Sequence, residues 1–255
     1  MDIFHVDLDN TLIYSYKKEI GRNKRNVEVY QGREISFVTE KTYRLLLELK
    51  KRVCIVPTTT RTMEQYGRID LGIGRIPYAL VCNGGVLLAD GEQDQAWYRQ
   101  SLEMVEESRE ELEHAMRYLE REPDRTFELR YIRKLFVFTK CRFPQNVVRH
   151  LKEELHPQLI DVFYNGEKVY AVPKKLNKGA AVDRFRAYLG AERVFAAGDS
   201  EFDIPMLERA DLAMAPAEWA ECGREAALQG GSVQVMPGRS LFSEELLEYM
   251  LECVG

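Results

Sequence analysis

Short apolar runs alternate with amphipathic stretches along much of the chain. The apolar runs are rich in β-branched and aromatic residues, and polar residues bound them, a pattern typical of buried parallel strands. Between the first two runs, 3–6 and 53–56, the residues Tyr43, Leu46 and Leu47 recur at helical spacing and predict an amphipathic helix over 39–51. Strand, helix and strand form a β-α-β unit, so the pattern predicts an α/β core with a parallel sheet. The runs in question are 3–6, 53–56, 79–82 and 194–197.

The alternation is interrupted between residues 86 and 173. A helical pattern over 101–121 carries apolar residues on one face and glutamates on the other, and 127–139 is strand-like. Pro144 opens a further helix, since proline is favoured at the first helical position. Asn165-Gly166 between two alternating runs is a strong hairpin signal. This segment is therefore predicted to be an inserted α+β module.

The predicted core is formed by residues 1–85 and 174–255, with 86–173 as the insert. Within the first part, the basic stretch before Tyr30 predicts a β-hairpin or a loop flap. Within the second part, a helix starts at Lys178 and Gly190 closes it. The remaining expected elements are a helix at 204–209, strands at 212–215 and 233–235, and a helix that Ser243 caps and that runs through Leu251.

Two carboxylates follow the first apolar run, Asp7 and Asp9, with Thr11 just beyond. Ligands of open α/β sheets bind at the carboxyl ends of the strands, which is where these residues are expected. Two neighbouring carboxylates repel each other and need a cation or a proton between them. A single Asp-x-Asp is also compatible with an ordinary polar turn, so it does not decide the chemistry by itself.

Three further polar clusters favour a functional site over an ordinary polar turn. Each lies directly before or after a predicted regular element, as a site at the edge of a sheet requires. An ordinary polar turn after the first strand would not explain why three other polar clusters also lie next to predicted elements. The clusters are Pro57-Thr58-Thr59-Thr60-Arg61, Asn177-Lys178-Gly179 and Gly198-Asp199-Ser200-Glu201-Phe202-Asp203.

Together and in this order, the four clusters resemble the haloacid dehalogenase-like hydrolase superfamily. The insert resembles the class IIB cap of its Cof-like and sugar-phosphatase branch. The resemblance covers nearly the whole chain, and its motifs are specific in combination. It implies a Rossmann-like parallel sheet with helices on both faces, plus an inserted α+β cap that decides the substrate.

The resemblance also implies roles for individual residues. Asp7 would be the nucleophile that forms an aspartyl-phosphate, and Asp9 would act as general acid and then as general base. Lys178 would neutralise Asp7 and hold a phosphoryl oxygen. Mg²⁺ would be bound by Asp7, the main-chain carbonyl of Asp9, and Asp199, with Asp203 as a further ligand or as an orienting group.

Substrate contacts are expected from Thr59, Arg61 and Asn83. Thr58 and Thr60 compete with Thr59, which is preferred because the family's Thr-Gly-Arg places its threonine two residues before the arginine. An exposed arginine at a helix start is an equally acceptable interpretation of Arg61, and Asn83-Gly84-Gly85 alone is a common hairpin turn.

Two residues depart from the family pattern. Thr60 stands where glycine is usual, so the turn after the second strand is expected to differ in shape. Phe202 replaces a residue that can form hydrogen bonds, so a supporting contact to the last aspartate is missing or comes from elsewhere. Neither departure removes one of the expected catalytic groups.

The predicted strand 127–139 carries several cations that could meet a second anionic group of a substrate. Alternation along a strand puts Arg130 and Lys134 on one face and Arg133 on the other. A charged face towards solvent is the alternative, and the sequence favours it.

The resulting prediction is a Mg²⁺-dependent phosphatase for a small phosphorylated metabolite, such as a sugar phosphate. One alternative is a phosphomutase of the same superfamily, which returns the phosphoryl group to its substrate. The other is a catalytically inactive relative that binds a ligand or regulates a partner. The sequence leaves the first alternative open, whereas the complete set of acidic and basic residues argues against the second.

Composition limits the other classes of function. The chain has 36 Lys and Arg against 41 Asp and Glu, a net charge of −5, which makes a general nucleic-acid-binding surface unfavourable. Its five cysteines are far apart and form no Cys-x-x-Cys pair, so they predict neither a zinc site nor a disulfide framework. The first strand begins too early for a cleavable signal peptide, and apolar runs stay below the about 20 residues of a membrane span. We therefore expect a cytoplasmic monomer or homodimer that binds neither membranes nor nucleic acids.

Overall fold

The computed structural model describes residues 1–222 and 233–255. They form two compact units, one made of Met1–Gln93 with Lys178–Gly255 and the other of Asp94–Asn177. The strands are β1 (Asp2–Val6), β2 (Tyr14–Ser15), β3 (Lys24–Tyr30), β4 (Arg33–Thr39), β5 (Cys54–Pro57), β6 (Tyr78–Val81), β7 (Val86–Ala89), β8 (Glu92–Gln93), β9 (Arg130–Ile132), β10 (Phe136–Lys140), β11 (Ile160–Asn165), β12 (Lys168–Pro173), β13 (Arg193–Ala197), β14 (Leu212–Ala215) and β15 (Val233–Val235). The helices are α1 (Glu40–Leu49), α2 (Met63–Tyr66), α3 (Gln95–Val105), α4 (Arg109–Glu120), α5 (Pro144–Glu154), α6 (Lys178–Leu189), α7 (Ile204–Arg209), α8 (Glu218–Cys222) and α9 (Phe242–Cys253).

The first unit is built on a parallel five-stranded sheet in the order β15-β14-β13-β1-β5. Strand β1 lies between β13 and β5, with Val6 in register with Ala197 and Pro57. Because parallel strands end at the same edge, the residues after β1, β5 and β13 meet there. The α/β core and its parallel sheet are confirmed for the apolar runs 3–6, 53–56 and 194–197. The run 79–82 instead forms β6, which pairs antiparallel with β7 in a separate sheet, β6-β7-β8.

Helices cover both faces of this sheet. Phe195 and Ala197 face a core that includes Leu46 of α1 and Leu246 of α9. Their strand neighbours Val194 and Ala196 face the opposite side, in a core with residues of α6 and α7. The alternation follows from the two-residue period of a strand, and it makes β13 apolar on both sides.

A hairpin formed by β3 and β4 follows the first loop and leads into α1, as the sequence predicts. Thr39 caps α1, since its hydroxyl accepts a hydrogen bond of 3.0 Å from the Thr42 amide. The register between β3 and β4 is irregular around Glu28, where the alternation of buried and exposed residues breaks.

The second unit is an antiparallel sheet in the order β11-β12-β10-β9 with helices α3, α4 and α5. Residues of α4 and α5 pack with one face of the sheet around Leu112, Val137 and Leu151. The predicted α+β character of the insert is confirmed. Its role as the segment that decides the substrate stays a prediction.

Predicting a single helix over 101–121 is wrong. Helix α3 begins at Gln95, where Asp94 accepts a hydrogen bond of 2.9 Å from the Trp97 amide. A 3₁₀ turn, Glu106–Ser108, then separates α3 from α4. Within this turn the Ser108 hydroxyl donates to the Leu159 carbonyl at 3.2 Å, a long-range contact that local periodicity does not reveal.

The prediction of a single strand over 127–139 is also wrong, because a turn divides this segment into β9 and β10. Arg133 and Lys134 adopt positive φ of 49° and 58° in this turn. Alternation stops there, so the predicted faces of Arg133 and Lys134 do not apply. Asn and Gly are the usual residues of such turns, and neither is present to signal it.

The predicted cap of the last helix is displaced by two residues. Helix α9 begins at Phe242 with Leu241 at the N-cap, and Ser243 lies inside the first turn. The Ser243 hydroxyl instead bonds the Thr42 hydroxyl at 2.8 Å, and its amide donates to Tyr14 Oη at 3.0 Å. Tertiary contacts therefore use the side chain that the sequence pattern assigns to capping.

In the part of the chain that the structure describes, no helix combines the length and the apolar character that crossing a bilayer requires.

Candidate active site

Three of the four predicted clusters supply a compact set of charged side chains at the edge of the parallel sheet. Asp7 follows β1, and its amide still donates to the Ala197 carbonyl at 2.9 Å. Asp199 lies two residues beyond β13, and Lys178 is the first residue of α6. Asp203 closes a 3₁₀ turn, Glu201–Asp203, that precedes α7.

Lys178 joins two of these carboxylates. Its Nζ donates to Asp7 Oδ1 at 2.6 Å and to Asp203 Oδ1 at 2.5 Å. The Lys178 side chain is 1% exposed, and those of Asp7 and Asp203 are 9% and 0% exposed. A buried lysine between two buried carboxylates is a strongly coupled arrangement that loses stability when one partner is removed.

Two glycines allow these groups to approach one another. A Cβ on Gly179 would lie 2.3 Å from the Pro205 carbonyl oxygen, so glycine lets the start of α6 pack against the start of α7. A Cβ on Gly198 would lie 2.3 Å from Asp203 Cβ. Separations this short are excluded sterically, which explains why glycine follows Lys178 and precedes Asp199.

Asp203 is held by donors from its own turn. Its Oδ2 accepts hydrogen bonds from the amides of Asp199 and Ser200 at 3.1 and 2.9 Å, and from the Ser200 hydroxyl at 2.8 Å. With Oδ1 bonded to Lys178, both oxygens of Asp203 have partners. Asp203 is thus fixed as a buried anchor for Lys178, and Ser200 supplies the support that Phe202 lacks.

Burial and the neighbouring charges shift the pKa values of the groups at this site. Burial and the nearby carboxylates hold the pKa of Asp7 well above its usual range, although Lys178 opposes the shift. Burial, together with Asp203, raises the pKa of Asp199 to about 7. Burial alone would lower the pKa of Lys178, but the charges and hydrogen bonds of Asp203 and Asp7 outweigh it and raise the pKa.

The carboxylates of Asp7, Asp199 and Asp203 are arranged as a metal site would require. Each offers an oxygen within 4.8 Å of the others. Three ionised carboxylates and one lysine carry a net charge of −2, which a divalent cation would neutralise. Thr11 orients Asp199 by donating to its Oδ1 at 3.1 Å. An all-oxygen set of this kind suits Mg²⁺.

The sequence match agrees with this geometry. The family model for haloacid dehalogenase-like hydrolases matches residues 83–218, more than half of the chain. The chain belongs to the haloacid dehalogenase-like hydrolase family. The resemblance seen in the four clusters is thereby confirmed, and the chain is an enzyme of the hydrolase class. The matched range includes Lys178, Asp199 and Asp203, and β1 pairing with β13 brings Asp7 to them.

Solved structures share the fold of this hydrolase over almost its whole length. A sucrose-phosphatase from Synechocystis sp. PCC6803, in complex with sucrose and phosphate, is 17% identical, with a TM-score of 0.68 over 98% of this chain and 96% of that chain. A haloacid dehalogenase-like hydrolase from B. subtilis is 15% identical, with a TM-score of 0.60 over 98% of this chain and 99% of that chain. No curated protein sequence matches the chain. At these identities the structures establish the fold.

In this hydrolase the half-exposed side chain of Asp9 pairs with Arg61. Arg61 Nε and Nη2 donate to Asp9 Oδ2 and Oδ1 at 2.8 and 2.7 Å, a bidentate contact. The Asp9 side chain is 51% exposed, whereas that of Arg61 is 13% exposed. Arg61 is therefore not an exposed arginine at a helix start. Its role in substrate binding, and that of the Asp9 carbonyl in metal binding, stay predictions.

The three threonines after β5 differ in where their hydroxyls point. Thr58 Oγ1 donates to the Val56 carbonyl at 3.1 Å and lies 2.9 Å from His5 Nδ1, in the interior of the sheet. Thr59 Oγ1 instead accepts from the Arg61 amide at 3.2 Å. Thr60 is not among the residues with positive φ, so a threonine fits where the family has glycine. These contacts favour Thr59 over Thr58 as the substrate ligand.

Asn83 lies in the turn between β6 and β7, close to the second cluster. Its amide donates to the Thr59 carbonyl at 3.0 Å, and Cys82 donates to the Arg61 carbonyl at 2.7 Å. Cys82 and Asn83 adopt positive φ of 53° and 58°, which turns the chain back towards β5. The structure thus brings Asn83 near Thr59 and Arg61 through the backbone, and its predicted contact with substrate stays a prediction.

The buried residue Glu28, which bonds Arg61 and Arg68, is not among the residues that the sequence predicts for the site. Arg61 Nη1 lies 2.9 Å from Glu28 Oε1, and Arg68 Nη2 lies 3.1 Å from the same oxygen. In the run Val27-Glu28-Val29 a glutamate has the pattern of a solvent-facing position. No local signal distinguishes it from an ordinary exposed charge.

Proposed function

We propose that this hydrolase is a Mg²⁺-dependent phosphatase that cleaves a small phosphorylated metabolite through an aspartyl-phosphate on Asp7. The observation that carries the proposal is that Lys178 is buried between the carboxylates of Asp7 and Asp203, next to Asp199. Phosphoryl transfer requires a positioned nucleophile and positive charge around the transferred group. This site supplies the nucleophile, one fixed cation, and carboxylates for a second cation.

In the first step, one carboxylate oxygen of Asp7 attacks phosphorus and the bond from phosphorus to the leaving oxygen breaks. Asp9, in its protonated form, gives its proton to that leaving oxygen. In the second step, Asp9 removes a proton from a water molecule that attacks phosphorus. The bond between Asp7 and phosphorus then breaks and inorganic phosphate is released. Lys178 stabilises the negative charge of the phosphoryl oxygens in both steps.

Asp7 and Asp199 are the residues best suited to hold Mg²⁺. Among the described residues, the hydrogen bonds to their side chains engage Oδ1 of each carboxylate, Lys178 on Asp7 and Thr11 on Asp199. Both oxygens of Asp203 already accept hydrogen bonds, which supports a role in anchoring Lys178. When bound, the cation would neutralise phosphoryl charge and offset the repulsion between the nucleophile and its anionic substrate.

A sugar phosphate is the substrate class we favour, with the predicted insert 86–173, most of which lies in the unit Asp94–Asn177, as its determinant. The support is the similarity in fold to a sucrose-phosphatase that was crystallised with sucrose and phosphate. Screening phosphorylated sugars, polyols and acids for released phosphate would test the substrate class. Stimulation of turnover by a bisphosphorylated sugar would favour a phosphomutase instead.

Replacing Asp9 by asparagine is expected to lower the steady-state rate of phosphate release by about 10²- to 10⁴-fold, the usual contribution of general acid–base catalysis. Asparagine keeps the size of the side chain but neither donates nor accepts a proton in this role. Asp90→Asn is the matched control, since Asp90 also bonds an arginine, Arg75, but at an exposed position. Equal rates for Asp9→Asn and the parent would refute the acid–base role of Asp9.

Adding Mg²⁺ to metal-free protein is expected to raise the thermal unfolding temperature, because the cation relieves the repulsion among the buried carboxylates. At about ten times Kd, a ligand that binds only the folded state stabilises it by about 1.4 kcal/mol. Asp199→Asn should remove most of this stabilisation, whereas Asp211→Asn, at an exposed ion pair with Arg186, should keep it. Differential scanning calorimetry measures the effect independently of turnover. Equal stabilisation of parent and Asp199→Asn would contradict this metal site.

A further inference from the structure

Glu28 is a buried carboxylate with an unusual number of charged partners. Its side chain is 0% exposed. Its Oε1 accepts from Arg61 Nη1 at 2.9 Å and from Arg68 Nε at 3.1 Å, and its Oε2 accepts from the Ser36 hydroxyl at 2.6 Å. A carboxylate removed from water in this way is stable only because these donors compensate it.

The irregular register of the hairpin places Glu28 inside. Register shifts occur on both sides of Glu28, and consecutive residues Val27 and Glu28 are both buried. A β-bulge has this effect, since the extra residue disturbs the alternation and re-aims a side chain. The Asn26 side chain stabilises the distorted backbone by donating to the carbonyls of Glu28 and Ser36 at 3.0 and 3.1 Å. The distorted hairpin therefore places the carboxylate of Glu28 in contact with Arg61.

All three nitrogens of the Arg61 guanidinium are engaged by two carboxylates. Nη1 contacts Glu28, while Nε and Nη2 contact Asp9. Glu28 and Arg61 are buried or nearly so, and Asp9 is half exposed. Two carboxylates and two guanidinium groups, including Arg68, balance their charges, so the arrangement holds Arg61 in place without excess charge.

We propose that Glu28 is a positioning residue for catalysis, which fixes Arg61 so that Arg61 orients the carboxylate of Asp9. This inference rests on the proposed role of Asp9 as general acid and base. An exposed carboxylate on its own samples several rotamers, and ordering it has an entropic cost. A guanidinium anchored by a buried partner reduces that cost before the substrate arrives.

The position of Arg61 is also compatible with proton transfer. To protonate a leaving group, Asp9 has to release at least one of its two bonds to Arg61. Arg61 stays in place during that change, because Glu28, which is itself bonded to Arg68, holds it from the buried side. Asp9 therefore keeps one hydrogen bond to Arg61, which maintains its orientation, while its other oxygen carries the proton.

The leaving group distinguishes this role from a structural one. Departure of an alkoxide from an alkyl phosphate needs a proton from Asp9, whereas an acidic aryl alcohol leaves without one. We therefore compare the first-turnover release of the alcohol from an alkyl phosphate monoester and from p-nitrophenyl phosphate, with enzyme in excess. Glu28→Gln is expected to slow alkyl alcohol release by about 10- to 100-fold, the effect of a misplaced catalytic group. Its release of p-nitrophenol should stay within about 2-fold of the parent.

A double-mutant cycle shows whether Glu28 acts through Asp9. In the Asp9→Asn background, Glu28→Gln should cause little further loss with the alkyl substrate, because the group it positions is absent. Glu40→Gln is the matched control, since it removes another glutamate–arginine pair, with Arg25, at the base of the same hairpin. This control should behave like the parent with both substrates.

Should Glu28→Gln fail to fold, the charge-balanced double variant Glu28→Gln, Arg68→Gln replaces it, and the same selective loss is expected. Equal losses on the two substrates, an unchanged or faster alkyl rate, or additive losses with Asp9→Asn would overturn the inference. Absence of phosphate release by the parent from both substrates would instead refute the proposed function itself. The two failures are therefore distinguishable.

Discussion

Replacing Lys178 by alanine is expected to abolish phosphate release and to lower the free energy of unfolding by about 3–5 kcal/mol. The substitution leaves Asp7 and Asp203 buried without the cation that bonds both of them at 2.6 and 2.5 Å. A purely catalytic role for Lys178 would predict a large loss of rate with little change in stability. The burial of all three groups changes that expectation, because an uncompensated buried charge is costly.

Chemical denaturation of parent and variant, alongside phosphate release, measures both effects. Lys41→Ala is the control, because Lys41 pairs with Glu244 and Glu248 while 46% of its side chain is exposed, and such pairs contribute about 0–1 kcal/mol. Adding Asp203→Asn to Lys178→Ala should recover part of the lost stability but none of the activity. A Lys178→Ala protein as stable as the parent would show that the carboxylates do not depend on this lysine.

Asp7→Asn is expected to reduce phosphate release by about 10³-fold or more, because an amide cannot form the acyl-phosphate bond. The substitution keeps the shape of the side chain. Burial and the neighbouring carboxylates already raise the pKa of Asp7, so losing its charge costs less than losing Lys178. We therefore expect a folded protein that lacks turnover, in contrast to Lys178→Ala.

The matched control for Asp7→Asn is Asp2→Asn, at the other end of the same strand, where Asp2 bonds Arg193 near the surface. It should keep the parental rate, because Asp2 lies at the opposite edge of the sheet from the site. Steady-state phosphate release and thermal unfolding are measured on both variants. A residual rate above about a tenth of the parent in Asp7→Asn would contradict nucleophilic catalysis by Asp7.

The position of Asp7 and Asp199 at the carboxyl ends of strands could be predicted from the strand patterns, whereas their convergence on one site was implied by the family resemblance. Apolar runs of strand length identify β1 and β13, and parallel neighbours end at the same edge. The first residues after each run, Asp7 after β1 and Gly198-Asp199 after β13, then lie at that edge. Gly179 and Gly198 were visible in the sequence, but their purpose, close approach to Pro205 and to Asp203, depends on how α6 and α7 pack.

The roles of Asp203 and Glu28 depend on contacts that no local pattern encodes. Asp203 becomes a buried anchor because Lys178, 25 residues earlier in the chain, reaches it. Glu28 is directed inward by a bulge, whose position depends on pairing with β4. Local sequence also does not reveal the turn at Arg133 and Lys134, because these residues adopt positive φ without the usual Asn or Gly.

The measurement that tests nucleophilic catalysis by Asp7 most directly is mass spectrometry of acid-quenched Asp9→Asn protein after incubation with Mg²⁺ and p-nitrophenyl phosphate. With this substrate the first step needs no general acid, whereas breakdown of the intermediate needs the missing base. We expect one phosphoryl group to accumulate on the peptide containing Asp7. A peptide that stays unmodified, while the parent releases phosphate from the same substrate, would contradict it.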